Sequence, residues 1–126
     1  MRVRGAALAG AFLLVAGACA EEEPPAAGTP AEAEVAAGAR LFARNGCAVC
    51  HGDQGRGDGK MAAALRPPPR NLHEVEAYRR GRTVAEIAGT IREGISTGRG
   101  GMPGYAHLSE EDRLLLARYI VSLQGK

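Results

Sequence analysis

A chain of 126 residues has room for one domain, which excludes a large multidomain enzyme. Hydrophobic residues make up 45%, but aromatics only 4% and Trp is absent, so the core is thin for its length. The net charge of +2 hides a split: of 16 Lys and Arg only Arg2 and Arg4 precede residue 35, against five of 14 Asp and Glu, so residues 35–126 hold 14 basic and 9 acidic side chains, net +5.

The N-terminus reads as an export signal over residues 1–20. Arg2 and Arg4 precede an apolar run at 6–18, too short to span a bilayer comfortably as a helix, and small residues close it. Val15-Ala16-Gly17-Ala18-Cys19 resembles a bacterial lipobox, which makes Cys19 a lipidation site, although Ala16 stands where Leu is usual. Ala18-Cys19-Ala20 also fits ordinary cleavage, releasing a soluble chain that begins at Glu21. The lipoprotein route is favoured. Residues 21–33, EEEPPAAGTPAEA, have three prolines and no large apolar side chain, the composition of a disordered spacer. A spacer on a lipid anchor lets the domain at 34–126 reach partners at a membrane surface.

Three helices follow in chain order. Val35, Gly38, Ala39 and Phe42 keep helical spacing and predict a first helix over 31–44, stopped by Asn45-Gly46. Thr83-Val84-Ala85-Glu86 is a capping box for a second, with Val84, Ile87, Ala88, Ile91 and Ile95 as its buried stripe and Gly94 near its end. Ser109-Glu110-Glu111-Asp112 opens a third in the same way, with Leu116, Tyr119, Ile120 and Leu123 on its face and Gly125 as its stop. Residues 52–81 form a long Gly- and Pro-rich loop, and no run alternates like a strand. A loop of that length in a small domain wraps something.

Between the first helix and the loop stands Cys47-Ala48-Val49-Cys50-His51. A redox dithiol would open a helix beside strands, and this pair follows a helix with none in sight. Zinc needs four ligands; Cys47, Cys50 and two of His51, His73 and His107 could be assembled, but His51 is too close to Cys50 for finger spacing. Haem attachment explains more: in C-x-x-C-H two thiols add across the haem vinyl groups and the adjoining histidine ligates iron. Met61, Met102, His73 and His107 are the choices for the second axial site. Met102 is favoured, within Gly98-Arg99-Gly100-Gly101-Met102-Pro103-Gly104, where glycines allow close approach to a flat ligand and Pro103 stiffens the turn. Gly55-Arg56-Gly57-Asp58-Gly59-Lys60 is no phosphate loop, since Met61 follows Lys60 where Ser or Thr is required; it reads as a flexible turn leading away from the haem.

Over residues 35–123 the chain resembles a class I c-type cytochrome, close in pattern to the small cytochromes and oxidase subunits of bacterial respiratory chains. Gly38-Ala39-Arg40-Leu41-Phe42 is similar to the family's G-x-x-[LI]-F. There a glycine lets the first and last helices cross closely, and Phe42 would meet Tyr119. Cys47, Cys50 and His51 match the haem motif, and Met102-Pro103 the methionine-ligand loop. Pro69-Arg70-Asn71-Leu72 resembles the segment in which a proline carbonyl, here Pro69, accepts a hydrogen bond from the axial histidine and so fixes its ring. With no Trp to hold a haem propionate, Arg99, Tyr105 or Asn71 would take that work.

The resemblance implies an all-α cytochrome c fold: three main helices and long loops around one covalent haem c with its iron. It implies a single-electron carrier; no general base, nucleophile or substrate pocket stands out, so no enzyme is expected, and the N-terminal signal would place the domain in the periplasm or on the outer face of the cytoplasmic membrane, lipid-anchored there. Its partners would be a quinol-oxidising complex and a terminal oxidase or dehydrogenase; it would be a monomer without a nucleic-acid partner. Arg66, Arg70, Arg79, Arg80 and Arg82, the densest basic stretch, would draw an acidic partner. Two rival readings are a haem-c subunit fixed in a larger dehydrogenase or oxidase complex and a gas-sensing or peroxidase-like haem protein.

Overall fold

The computed structural model describes residues 28–126. The export signal, Cys19 and residues 21–27 of the spacer lie outside the described residues. Among the described residues the regular structure is four α-helices, one small hairpin and two single 3-10 turns in the long loop (Ala62–Ala64 and Val75–Ala77): α1 (Pro30–Arg44), α2 (Cys47–His51), α3 (Val84–Glu93), β1 (Ile95–Ser96), β2 (Gly101–Met102) and α4 (Glu110–Leu123).

α1 starts one residue before the expected position, and residues 30–33 of the assigned spacer are its first turn. The reason is a second capping box: Thr29 Oγ1 accepts from Glu32 N (3.3 Å) while Glu32 Oε2 accepts from Thr29 N (2.7 Å), with Pro30 beside the cap. α3 is capped identically by Thr83 and Glu86. α4 receives half of the device. Ser109 Oγ accepts from Asp112 N (3.0 Å), but Asp112 is a methylene shorter than Glu and makes no return bond.

α1 and α4 cross at Gly38, where an added Cβ would lie 2.1 Å from Leu115 O and 2.7 Å from Tyr119 Cβ. Beside the crossing, the Phe42 and Tyr119 rings meet edge to face, 5.3 Å between centroids, as the resemblance implied. α3 packs on α4 as well. Leu41, Phe42, Ile87, Ala88, Ile91, Leu116, Ala117, Ile120 and Leu123 join there in one core. Each large member contributes about 1.5–3 kcal/mol by leaving water.

Three details differ from the sequence reading or add to it. Ile95 is not in the stripe of α3: Gly94, at φ 74°, ends the helix and Ile95 pairs with Met102 in the hairpin. Tyr119 packs against the core on the face of the last helix as expected, and the fully buried Ala117 joins that face. The long loop is not loose. Leu72 anchors it in the core and donates its N–H to Gly55 O (2.7 Å), Tyr78 Oη donates to Leu72 O (2.6 Å), and Gly125 N donates to His73 O (2.9 Å).

Candidate functional site

Asn45 caps α1 and Gly46, at φ 76°, turns the chain so that α2 begins at once. A five-residue helix leaves most of its carbonyls without intrahelical partners. The glycine run after it supplies donors: Met61 N to Val49 O (3.0 Å), Gly59 N to Cys50 O (3.1 Å) and Gly57 N to His51 O (2.7 Å). An added Cβ at Gly59 would lie 2.4 Å from Val49 O. The segment expected to lead away therefore folds back and braces α2, and its glycines are there for backbone contact.

Cys47 and Cys50 are free thiols, half-buried and one helical turn apart. Burial pushes the Cys47 thiol above its usual range, so it stays protonated at neutral pH. His51 is held at both ends of its surroundings. Its ring centroid lies 6.4 Å from that of Phe42, and Nδ1 lies 3.1 Å from Arg70 O. A carbonyl only accepts, so Nδ1 carries the proton and Nε2 keeps its lone pair. Burial, the leading cause, moves the ring below the usual histidine value and favours this neutral form.

The acceptor is Arg70, not Pro69. Pro69 O and Arg70 O both lie near Gly57, 2.7 and 3.2 Å from where that residue's Cβ would be, and it is Arg70 O that the ring nitrogen meets. Sequence reasoning missed Arg70 because every residue carries a carbonyl, and only the backbone placement decides which of two neighbours faces the ring. Arg70 also reaches forward, its guanidinium donating to Ala77 O.

Of the four choices for the second axial site, Met102 alone packs against the core, as Cys47 and Tyr105 do. Met61 is 45% exposed, His73 has Nε2 2.7 Å from Gln54 O, and His107 is exposed with its ring 5.8 Å from that of Tyr105. Tyr105 is half-buried, and burial, followed by the nearby Cys47 and Cys50 sulfurs, raises its hydroxyl's pKa. Arg99 sits exposed at the hairpin tip. Asn71 is committed locally, donating to Glu74 Oε1 (3.2 Å) and accepting from His73 N (3.1 Å).

These residues fit haem c. Two free, half-buried thiols share a turn with a neutral imidazole whose far nitrogen is bonded to a carbonyl, and a thioether lies against the same apolar cluster. The comparisons point the same way. Residues 35–124 match the family model of Cytochrome c. A chain of the Kuenenia stuttgartiensis reducing HAO-like protein complex is similar at 27% identity with a TM-score of 0.60, over 74% of this chain and 44% of that one. This chain thus spans less than half the length of that relative. The chain belongs to the cytochrome c family, with Cys47, Cys50 and His51 in the C-x-x-C-H pattern, and it carries covalently bound haem c for electron transfer.

Proposed function

We propose that the chain is a one-electron carrier, not an enzyme, in a membrane-associated respiratory chain, with His51 and Met102 as the axial ligands. The placement of Met102 carries the reading, because its side chain packs on the core while the other choices are exposed or engaged elsewhere. Haem iron supplies the one-electron chemistry, and a thioether ligand favours its ferrous form and raises its potential. Arg70 O fixes the His51 ring, and the core and the bracing loop hold α2 still, so little rearranges between redox states. The reduced holoprotein is expected to leave its optical spectrum unchanged when carbon monoxide is added. A prompt shift would mean an open iron site and would replace the carrier by a sensor or peroxidase-like protein.

Recognition of an acidic redox partner rests on fewer arginines than the sequence suggested. Arg70 is spent on Ala77 O, and Arg80 on Gly94 O (2.8 Å) and Glu93 Oε2 (2.5 Å). Arg66 is itself engaged, donating to Ala63 O (3.0 Å) and Leu65 O (2.7 Å), which leaves two exposed members of the stretch, Arg79 and Arg82. Changing both to Gln is expected to slow association with an acidic oxidase subunit roughly tenfold at low salt and to flatten its ionic-strength dependence. Arg118→Gln, at a residue already paired with Glu34 (3.3 Å), serves as control. Equal salt dependence in all three proteins would refute steering by this pair.

The reading also places the protein outside the cytoplasm, anchored through Cys19, on the strength of residues 1–20. No helix among the described residues is long and apolar enough to cross a membrane. Mass spectrometry of the mature chain is expected to show a lipidated N-terminal Cys19; a soluble chain starting at Glu21 would end the anchor. A second reading, a haem-c subunit fixed in a larger assembly, draws on the similar chain, which comes from a protein complex. Co-purification of another chain through high salt would favour it.

A further inference from the structure

Sequence alone assigns the glycines around Met102 to close approach by a flat ligand. The structure gives them another neighbour. Residues 101–105 run back along the C-terminal end of α3, and contact is backbone to backbone. A Cβ on Gly94 would lie 2.6 Å from both Gly104 N and Met102 O, and 2.8 Å from Pro103 C. A Cβ on Gly104 would lie 2.8 Å from Arg92 O and 2.9 Å from Glu93 O. Gly101 is pressed still closer, its Cβ position 1.7 Å from Ile95 O in the hairpin. Tyr105 N donates to Ile91 O (2.8 Å), so the loop also satisfies a carbonyl that the helix end would leave open. Arg80 holds the other side by donating to Gly94 O.

No side chain intervenes between the loop and the helix end at these points. Backbone atoms cannot swing aside as a flexible side chain can, and packed interiors do not absorb an added methyl without shifting a neighbour. The neighbour that must shift is the segment on which Met102 is mounted. We propose that Gly94 and Gly104 are positioning residues for Met102, interlocked so that one methyl on either lifts the thioether from the iron and opens the sixth site to external ligands. This rests on the reading of Met102 as the sixth ligand.

Three alanine variants separate contact from backbone strain. Gly104 lies outside the left-handed region, so Gly104→Ala adds contact alone. Gly98, at φ 75°, faces open space at the hairpin tip, so Gly98→Ala adds strain alone. Gly94, at φ 74°, receives both. Each is made as holoprotein in a Gly89→Ala background, because Gly89 is a helical position with nothing within 4 Å of its Cβ and alanine there offsets lost stability. Circular dichroism checks the fold, carbon monoxide titration of the reduced form reads the sixth site, and potentiometry reads the loss of the thioether. Gly104→Ala and Gly94→Ala are expected to pass from no detectable binding to stoichiometric binding with a lowered potential, and Gly98→Ala to behave as its background. A folded Gly104→Ala that refuses carbon monoxide, while Met102→Ala accepts it, overturns the interlock and leaves the ligand assignment standing. Equal opening by Gly98→Ala overturns it in favour of loop strain. Refusal by Met102→Ala as well removes the ligand assignment, and the interlock with it.

Discussion

Met102→Ala is expected to lower the reduction potential by about 0.2 V, a fraction of the roughly 0.8 V over which axial ligands set it. At about 59 mV per decade for a one-electron couple, that weakens the tendency to accept an electron by more than three decades. A carrier so altered would stay oxidised in front of a donor matched to the native protein. The magnitude follows from softness: a thioether stabilises ferrous iron, and neither water nor an empty site replaces it. Packing changes less, since Met102 is only half-buried at the core's edge. Met61→Ala is the matched comparison, because Met61 is 45% exposed and its loss should leave the potential where it was. Potentiometric titration of the three proteins decides. A native potential in Met102→Ala, or a fall in Met61→Ala, would mean that the ligand had been misassigned.

What could be seen before folding was whatever repeats or whatever caps. α3 was legible from Thr83 and Glu86 alone, because a capping box is a local hydrogen-bonded pair that needs no tertiary partner. The crossing of α1 and α4 was legible through the resemblance carried by Gly38 and Phe42. α2 was not, since five residues make too little of a turn pattern to show a period, and its stability comes from carbonyls met by Gly57, Gly59 and Met61. The hairpin escaped for the same reason. Two-residue strands have no alternation, and the pairing of Ile95 with Met102 depends on glycine turns on either side. Leu72 was legible only as part of the segment behind the axial histidine, and nothing in its spacing from Leu65 or Val75 marked it as the loop's anchor in the core. At the site, residue types with obligate chemistry (a thiol pair, an adjacent imidazole, a thioether) could be picked out by kind. Groups that every residue possesses could not, and the carbonyl facing His51 is one of them: choosing Arg70 over Pro69 needs a peptide-plane orientation that no side chain reveals.

Gly38→Ala and Gly89→Ala make the same chemical change in two helices and are expected to move stability in opposite directions. Both glycines sit inside helices, where alanine is favoured by up to about 1 kcal/mol because it has less backbone freedom to lose. At Gly89 nothing lies within 4 Å of the new methyl, so the gain should appear almost whole. At Gly38 the methyl would arrive 2.1 Å from Leu115 O and 2.7 Å from Tyr119 Cβ. Neither neighbour can yield by rotation, since one is a backbone oxygen and the other the root of a side chain. The helices must part, at a cost of about 1–3 kcal/mol for overpacking. Separation also loosens the edge contact between Phe42 and Tyr119, worth about 0.5–1.5 kcal/mol beyond burial. The penalty outweighs the helical gain and leaves a net loss of about 1–3 kcal/mol. For a domain of this size each kcal/mol moves the thermal midpoint by roughly 4–8 °C, so the two variants should straddle the native protein widely. Phe42 also touches the His51 ring, at 6.4 Å between centroids, so Gly38→Ala should disturb the haem spectrum as well as the unfolding curve. Thermal unfolding of the ferric holoproteins, followed at both the peptide and the haem absorption, would show it. A Gly38→Ala protein as stable as the native one would mean that the helices cross with room to spare, contrary to the contacts at that point.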